Sequence, residues 1–494
     1  MIAQPRVAIV GLGPVGATAA LLLARYGIST VVFERRLEPQ ALTRAVTIDD
    51  EALRVLHDAG LGSHVPMPAM LGDQPVRFRS RGGRVLLELE PRIGPYGHPA
   101  IAFLHQAELD AALAGAVERS SLIEVERGQE VVGLTQGSSG VTLSLRAAGA
   151  HGRPERDITF AYVLACDGAR SAARAALGVS LRGFTSRRRW LAVDAAGGGS
   201  RAGESGFEFV CDPARPAANG PLPGGKHRFE FMLSPGEPAD DRTVARLLEP
   251  WGGREDIDVL RWAIYPQHAR VAPRWCVGRA LLLGDAAHLS PTFAGQGLSS
   301  GLRDAANVAW KIAALLAGSA APALLDSYEL ERRPHAVRMN ALAVALGHGV
   351  ELQRLSSLRD RLLASWPVER FAAGAAWKPA PLYRRGLLGR GGGALLRQPD
   401  IRGPGSLDAA IGPRLGVVGF GVDPSGALDS GARALLDELG ARIVVTERDD
   451  APRRWAGRPT VAVVRPDRFV FARVAPDDLA SAVRDLAAAL RSPP

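Results

Sequence analysis

The stretch VAIVGLGPVGATAALLLARYGISTVVFE, Val7 to Glu34, decides the fold. A short apolar run from Arg6 to Val10 reads as a strand and meets the turn G-L-G-P-V-G. ATAALLLARYG follows as a helix, and Thr30 to Phe33 reads as a second strand ending at Glu34. Strand, turn, helix and strand together form the full βαβ setting of a dinucleotide-binding turn. In that setting Gly11 permits the tight turn, Gly13 lets a pyrophosphate approach the backbone, and Gly16 lets the helix pack on the strand. Pro14 and Val15 lie inside the turn, where the helix N-terminus offers free N–H groups and a positive dipole end to a diphosphate. Glu34 suits a ribose diol, so FAD or NAD fits better than NADP; Arg35 beside it is counted with the site.

Two distal segments choose between those dinucleotides. AYVLACDGARSAARAAL, residues 161 to 177, reads as a strand ending at Asp167-Gly168, then a helix beginning near Ser171. RALLLGDAAHLSPTFAGQGLSSGLRDAANVAWKIA, residues 279 to 313, reads as a strand ending at Gly284-Asp285, a Pro/Gly loop and a long helix. Asp285 can hold a ribityl hydroxyl. The loop Pro291 to Gly297 leads to a helix N-terminus whose unpaired N–H groups suit negative charge on a reduced flavin. Gly295 and Gly297 let the backbone approach a flat ring.

These three segments, in this order, resemble the fingerprints of the single-component FAD-dependent aromatic hydroxylases. The nearest branch is that of the 3-(3-hydroxyphenyl)propionate and phenol hydroxylases. The resemblance covers roughly residues 5 to 345 well. It implies that the Asp167 motif serves both FAD and NAD(P)H, that Asp285 binds the ribityl chain, and that Gly297 and Leu298 offer N–H groups to the flavin. It also implies FAD contacts for Arg44 in TRAVTIDDEAL and Gln106 in FLHQAELDAAL. Ser299 departs from the Asn common at that position, and the site is expected to survive because backbone groups supply the donors.

The implied fold is α/β, a glutathione-reductase-type Rossmann-like FAD domain with a β-sheet substrate domain and a thioredoxin-like C-terminal domain. The FAD domain is expected at 1–70, 100–175 and 276–345, and the substrate sheet at 71–99 and 176–275. Within the latter, Pro213 to Gly225 is expected as a mobile loop. Residues 346–399 are expected as a helical segment and linker, including RRGLLGRGGG, and 400–494 as the thioredoxin-like unit. That unit contains no cysteine, so dithiol chemistry is excluded and a structural role is expected.

Composition narrows the function class. Of 494 residues, 47% are hydrophobic and 22% charged, which is ordinary for a globular protein. The net charge of +9 is arginine: only Lys226, Lys311 and Lys378 are lysines. No basic stripe with interleaved aromatics suggests a nucleic-acid partner. Cys166, Cys211 and Cys276 are far apart, which argues against a disulfide framework or zinc site, and no metal is expected. No signal-peptide layout is evident and no apolar run reaches the roughly 18 to 20 residues of a membrane span. A cytoplasmic monomer or homodimer is expected.

The resemblance implies that NAD(P)H reduces FAD, and that O2 then gives a flavin C4a-hydroperoxide that hydroxylates a phenolic or polycyclic aromatic substrate. Pro291, Thr292 and Phe293 are expected beside that substrate. Tyr265 and His268 in WAIYPQHARV are the candidate catalytic residues. Baeyer–Villiger or epoxidising chemistry on the same scaffold, in natural-product tailoring, is the alternative. An inactive FAD-binding scaffold is the alternative of another class. A flavin halogenase fits less well, since RWAIYP does not match W-x-W-x-I-P.

Overall fold

Val7–Val10 lies within a six-stranded sheet, paired in parallel with Tyr162–Ala165 on one side and Thr30–Glu34 on the other. Ile123–Arg127 extends one edge, and Ala280–Leu282 with the antiparallel Cys276–Val277 extends the other. Parallel strands buried on both faces read as continuous apolar runs, and VAIV and YVLA are buried throughout. The computed structural model describes residues 7–38, 45–61, 70–150, 152, 154–197, 206–252, 256–351, 356–363, 378–398, 406–447 and 459–492.

The helix Pro14–Arg25 packs against the long helix Gln296–Leu316, so the first and third sequence motifs meet in space. Val10, Glu34, Asp167 and Asp285 therefore cluster at the carboxyl ends of the sheet strands, where open α/β sheets bind ligands.

A second sheet of eight strands runs in the order His288–Leu289, Asp258–Val271, Arg182–Ala196, Lys226–Leu233, Ala217–Leu222, Phe207–Cys211, Val76–Ser80 and Val85–Leu89. The loop expected at Pro213 to Gly225 is thus corrected: Ala217–Leu222 is a mostly buried strand inside this sheet. Its Pro and Gly disguised it. Pro221 lies past the last residue paired with Phe207–Cys211, so its missing N–H breaks no bond on that side. Gly220 is required because a Cβ there would fall within 2.4 Å of the Phe207 ring.

Near the C-terminus, Arg442–Thr446, Gly416–Phe420, Thr460–Val464 and Val470–Val474 form a four-stranded sheet, with the helices Ser430–Glu438 and Leu479–Arg491 packed on each other. The glycine-rich run read as a linker is instead packed against it. A Cβ on Gly392 would overlap the Phe471 carbonyl, and one on Gly393 the Tyr383 carbonyl, while Leu387 and Leu396 are core residues. These glycines serve close approach rather than slack. Among the described residues no helix is long and apolar enough to cross a membrane.

Candidate functional site

One cavity of about 1470 Å³ runs from the strand ends of the six-stranded sheet to one face of the eight-stranded sheet. One end is built by the first motif. Gly11 has φ +96°, and a Cβ there would lie 2.6 Å from the Cys166 carbonyl oxygen. A Cβ on Gly16 would lie 2.0 Å from the Gly11 oxygen, so Gly16 packs the turn against its helix. Gly13 has nothing within 4 Å of its Cβ position, which leaves open space at the helix N-terminus. That helix start has no side-chain cap and no acidic residue in its first turn. Its N–H groups are available to an anion. The Glu34 carboxylate accepts hydrogen bonds from the N–H groups of Leu12 (2.8 Å) and Arg36 (2.9 Å). It thereby fixes the turn while still lining the cavity.

The second motif contributes Asp167. One of its oxygens accepts from the Ala173 N–H at 3.0 Å. The other, Oδ1, is buried without a partner, and burial raises the acid's pKa. A buried carboxylate oxygen without a donor is costly, so it suits a ligand's hydroxyl or N–H. Gln106 accepts from the Ala45 N–H at 2.9 Å. One turn on, Asp110 lines the same cavity with Oδ1 unpartnered. Burial pushes Asp110 up to about 6, against the hydrogen bond from Gln106.

The third motif brings a second free helix start to the cavity. Gly295, at φ +58°, precedes Gln296–Leu316, which has no side-chain cap and no acidic first turn. A Cβ on Gly295 would strike Thr47 Oγ1, whereas Gly297 has open space before it. Gly284 packs on Val15, and its N–H donates to Asp304 at 3.0 Å. The fully buried Asp304 also binds His288 Nε2 and Arg332 Nε, each at 2.8 Å. It thus pins the strand end that presents Asp285.

The far end of the cavity is aromatic. Phe78 stacks on Phe209, Phe103 stacks on Phe207, and Phe293 meets Trp190 edge to face. Trp190 Nε1 donates to Glu351 at 3.0 Å, which fixes the indole plane. Gln267 holds the loop: its Oε1 accepts from the Thr292 N–H and its Nε2 donates to Thr292 Oγ1, both at 2.9 Å.

The structure brings Gly11, Gly13, Pro14, Val15, Glu34, Arg35, Gln106, Asp167, Gly168, Asp285, Pro291, Thr292, Phe293, Gly295, Gly297, Leu298, Tyr265 and His268 to one cavity. Gly16 and Gly284 stand behind its wall as packing glycines. Arg44 lies outside the described residues. Burial raises the Tyr265 phenol, with Arg228 and Arg261 opposing. His268 Nδ1 lies 2.8 Å from Thr185 Oγ1. Ser299 lies behind the wall, with its Oγ 3.4 Å from the Asp49 N–H that donates to it. Apart from Phe293 the aromatic lining was missed, as were Gln267, Asp110 and Glu230. The strands Phe207–Cys211 and Lys226–Leu233 are largely buried on both faces, and such strands hide which side meets a cavity.

Residues 4–343 match the FAD binding domain family, and residues 393–489 match the HcaD C-terminal domain family. A 3-(3-hydroxy-phenyl)propionate/3-hydroxycinnamic acid hydroxylase of Burkholderia vietnamiensis is 34% identical over 94% of this chain and 93% of its own. A hydroxylase of the same description from Mycobacterium avium is 36% identical over 93% and 84%. Among solved structures, aklavinone-11 hydroxylase with FAD and aklavinone superposes with a TM-score of 0.79 at 22% identity, covering 98% of this chain and 99% of that one. The anhydrotetracycline hydroxylase OxyS of Streptomyces rimosus gives 0.73 at 27% identity, covering 97% and 98%. The mixed α/β fold is that of FAD-dependent monooxygenases, and the chain belongs to the FAD-dependent aromatic hydroxylases, with FAD as its cofactor.

Proposed function

We propose that the protein uses NAD(P)H and O2 to hydroxylate a phenolic or polycyclic aromatic ring. The observation that carries this reading is the single continuous cavity. Ligand pockets commonly measure about 300–1,000 Å³, so 1470 Å³ accommodates a dinucleotide and an aromatic substrate together. The six-stranded sheet and its helices are read as a glutathione-reductase-type Rossmann-like domain, and the C-terminal unit as thioredoxin-like and structural.

When bound, FAD supplies hydride acceptance and oxygen activation. The chain's own residues bind, orient and exclude water. Gly11, Gly13 and the helix start at Pro14 and Val15 hold the diphosphate, and Glu34 and Arg35 flank the adenosine ribose. Asp167 Oδ1 and Gln106 take hydrogen bonds along the chain of the cofactor, and Asp285 holds its ribityl hydroxyls. The N–H groups of Gly297 and Leu298 would stabilise negative charge on the bound flavin. Pro291, Thr292 and Phe293, with Trp190 and the phenylalanine stacks, would hold a flat substrate and keep water away. Tyr265 offers a proton to a substrate oxygen.

The relatives are described as acting on 3-(3-hydroxy-phenyl)propionate. The predominantly aromatic chamber here favours a larger, polycyclic ring system. The test is the visible spectrum of the purified protein, followed by NAD(P)H oxidation against phenols of rising ring number with NMR of the products. Flavin bands near roughly 370 and 450 nm, typical of a flavin in any protein, and a new ring hydroxyl support the reading. A ring-expanded lactone would instead establish Baeyer–Villiger chemistry. A colourless protein that takes up no FAD refutes the reading.

A further inference from the structure

The chamber floor carries a carboxylate that no motif announces. In Lys226–Leu233 the pleat sends Phe229, Phe231 and Leu233 to the outer core with Val244, Leu247 and Leu248. Met232 joins the opposite core with Trp190 and Phe207. Arg228 and Glu230 share the Met232 face, because side chains alternate along a strand. Across the sheet, Glu230 stands opposite Ala218 on one neighbour and Ala192 on the other, and Ala192 pairs onward with Ala263. A methyl group on each neighbouring strand, with a third one strand further on, therefore leaves the carboxylate clear of its row. Glu230, Ala218 and Ala263 all line the cavity.

The carboxylate is braced from behind. Glu230 Oε1 accepts from Arg228 NH1 at 3.2 Å. Arg228 is buried and paired with Asp194, which also accepts from Arg261 Nε at 2.6 Å. Asp194 and Glu230 together balance the two guanidinium groups, so the cluster has no net charge to attract an anion. Among the described residues Glu230 Oε2 has no hydrogen-bond donor. Beside Ala218, Ala263 and the phenylalanine rings of this wall, a pinned acceptor is an address for one O–H group. A few fixed polar groups in an apolar pocket set ligand orientation.

We infer that Glu230 is a specificity residue that accepts the hydrogen bond of a hydroxyl on a neutral aromatic substrate and so fixes which ring edge faces the Pro291–Gly297 loop. The inference rests on the aromatic hydroxylase reading and deepens it. The contact orients the ring and, as a hydrogen bond to a carboxylate, enriches it in electron density.

The experiment titrates the FAD-loaded protein with 1-naphthol and with 1-methoxynaphthalene, following the absorbance change of the bound flavin. The wild type should prefer the naphthol by roughly 10- to 100-fold, the range expected for a hydrogen bond to a charged group. In Glu230→Leu that preference should collapse to about twofold, because only naphthol binding weakens. Glu230→Gln keeps the shape and a neutral acceptor, so it should fall between, and it carries the test should the leucine variant misfold. FAD content and Tm report on folding separately. A preference that persists in both variants, or a wild type that shows none or binds neither probe, overturns the inference. Should the preference behave as stated while no phenol accelerates NAD(P)H oxidation, the hydroxylase reading fails and the role of Glu230 in binding stands.

Discussion

Gln267→Leu isolates what the Pro291–Gly297 loop contributes to turnover. The amide makes two hydrogen bonds of 2.9 Å to Thr292, one to its N–H and one to its hydroxyl. Each such bond contributes about 0.5–1.5 kcal/mol net. Thr292 faces the cavity as an exposed residue, so water can take over its N–H and hydroxyl. The stability loss is therefore about 1–3 kcal/mol, without the larger penalty of an orphaned buried donor. The functional loss should be greater. Phe293 follows Thr292 directly and packs on Trp190, so releasing the turn lets the substrate clamp move. Misplacement of about 1 Å can cost 10²-fold in rate. The helix start at Gln296 is held separately by Arg303 NH1, which donates to Gln296 Oε1 at 3.1 Å. FAD affinity should accordingly change little. The assay is paired measurement of NAD(P)H consumed and hydroxylated product formed, alongside FAD content. We expect product formation down about 10- to 100-fold, with consumption diverted to hydrogen peroxide. Product formation and coupling within about twofold of wild type would refute the claim that Gln267 positions the loop.

Gly13→Val should leave the apoprotein folded but abolish FAD retention, because a Cβ there meets no protein atom yet fills the diphosphate cradle; flavin content after desalting reports it, and normal flavin content would contradict the cradle. Gly16→Ala should instead lower Tm of the FAD-free protein, since its Cβ falls 2.0 Å from the Gly11 carbonyl oxygen. Asp110 carries a pH signature in the FAD-free protein: its folded pKa of about 6 exceeds the ordinary 3.8. Its contribution is therefore fully present below 3.8 and lost as pH rises through 6, and Asp110→Asn should flatten urea midpoints across that window. Arg465→Met should cost about 3–5 kcal/mol in chemical denaturation, because it leaves the buried Glu331 without its bidentate partner; a loss below about 1 kcal/mol would contradict this.

The nucleotide half of the site was legible because backbone geometry constrains it to few residue types. Gly11 needs a positive φ, Gly16 needs the absence of a Cβ, and both show as glycine at fixed spacing. Asp167 and Asp285 sit at strand ends that apolar runs mark clearly. At the far end of the cavity only Pro291, Thr292, Phe293, Tyr265 and His268 were picked out; the rest was not legible. Phe207 and Phe209, Trp190, and Glu230 come from three different strands, and their meeting depends on sheet order and register. No local pattern encodes either. The strand Ala217–Leu222 was hidden for a related reason. Gly220 and Pro221 read as turn residues locally, yet Gly220 is there to clear Phe207 and Pro221 sits where its missing donor is harmless. The same logic turned RRGLLGRGGG from an expected linker into packed chain.

The helix Gln296–Leu316 explains why a cysteine-free C-terminal unit accompanies the flavin fold. Its first turn forms the cavity wall at Gln296, Gly297 and Leu298. Three turns later Asn307 and Lys311 enter a fully buried network with Glu331. Arg465, from the C-terminal unit, closes that network with two bonds to Glu331 of 2.6 and 2.8 Å. Trp310, Tyr383 and Phe469 surround its guanidinium. Burial pushes Glu331 up, but Arg465 and Lys311 outweigh it and bring the acid down to about 2, so the ion pair persists across the physiological range. A second buried tie, Arg54 to Asp408 at 2.6 Å, joins the helix Asp50–Leu56 to the same unit. Buried ion pairs add little net stability over apolar packing, but they tolerate only one register. Here the network holds the long helix against the C-terminal unit while its first turn lines the cavity.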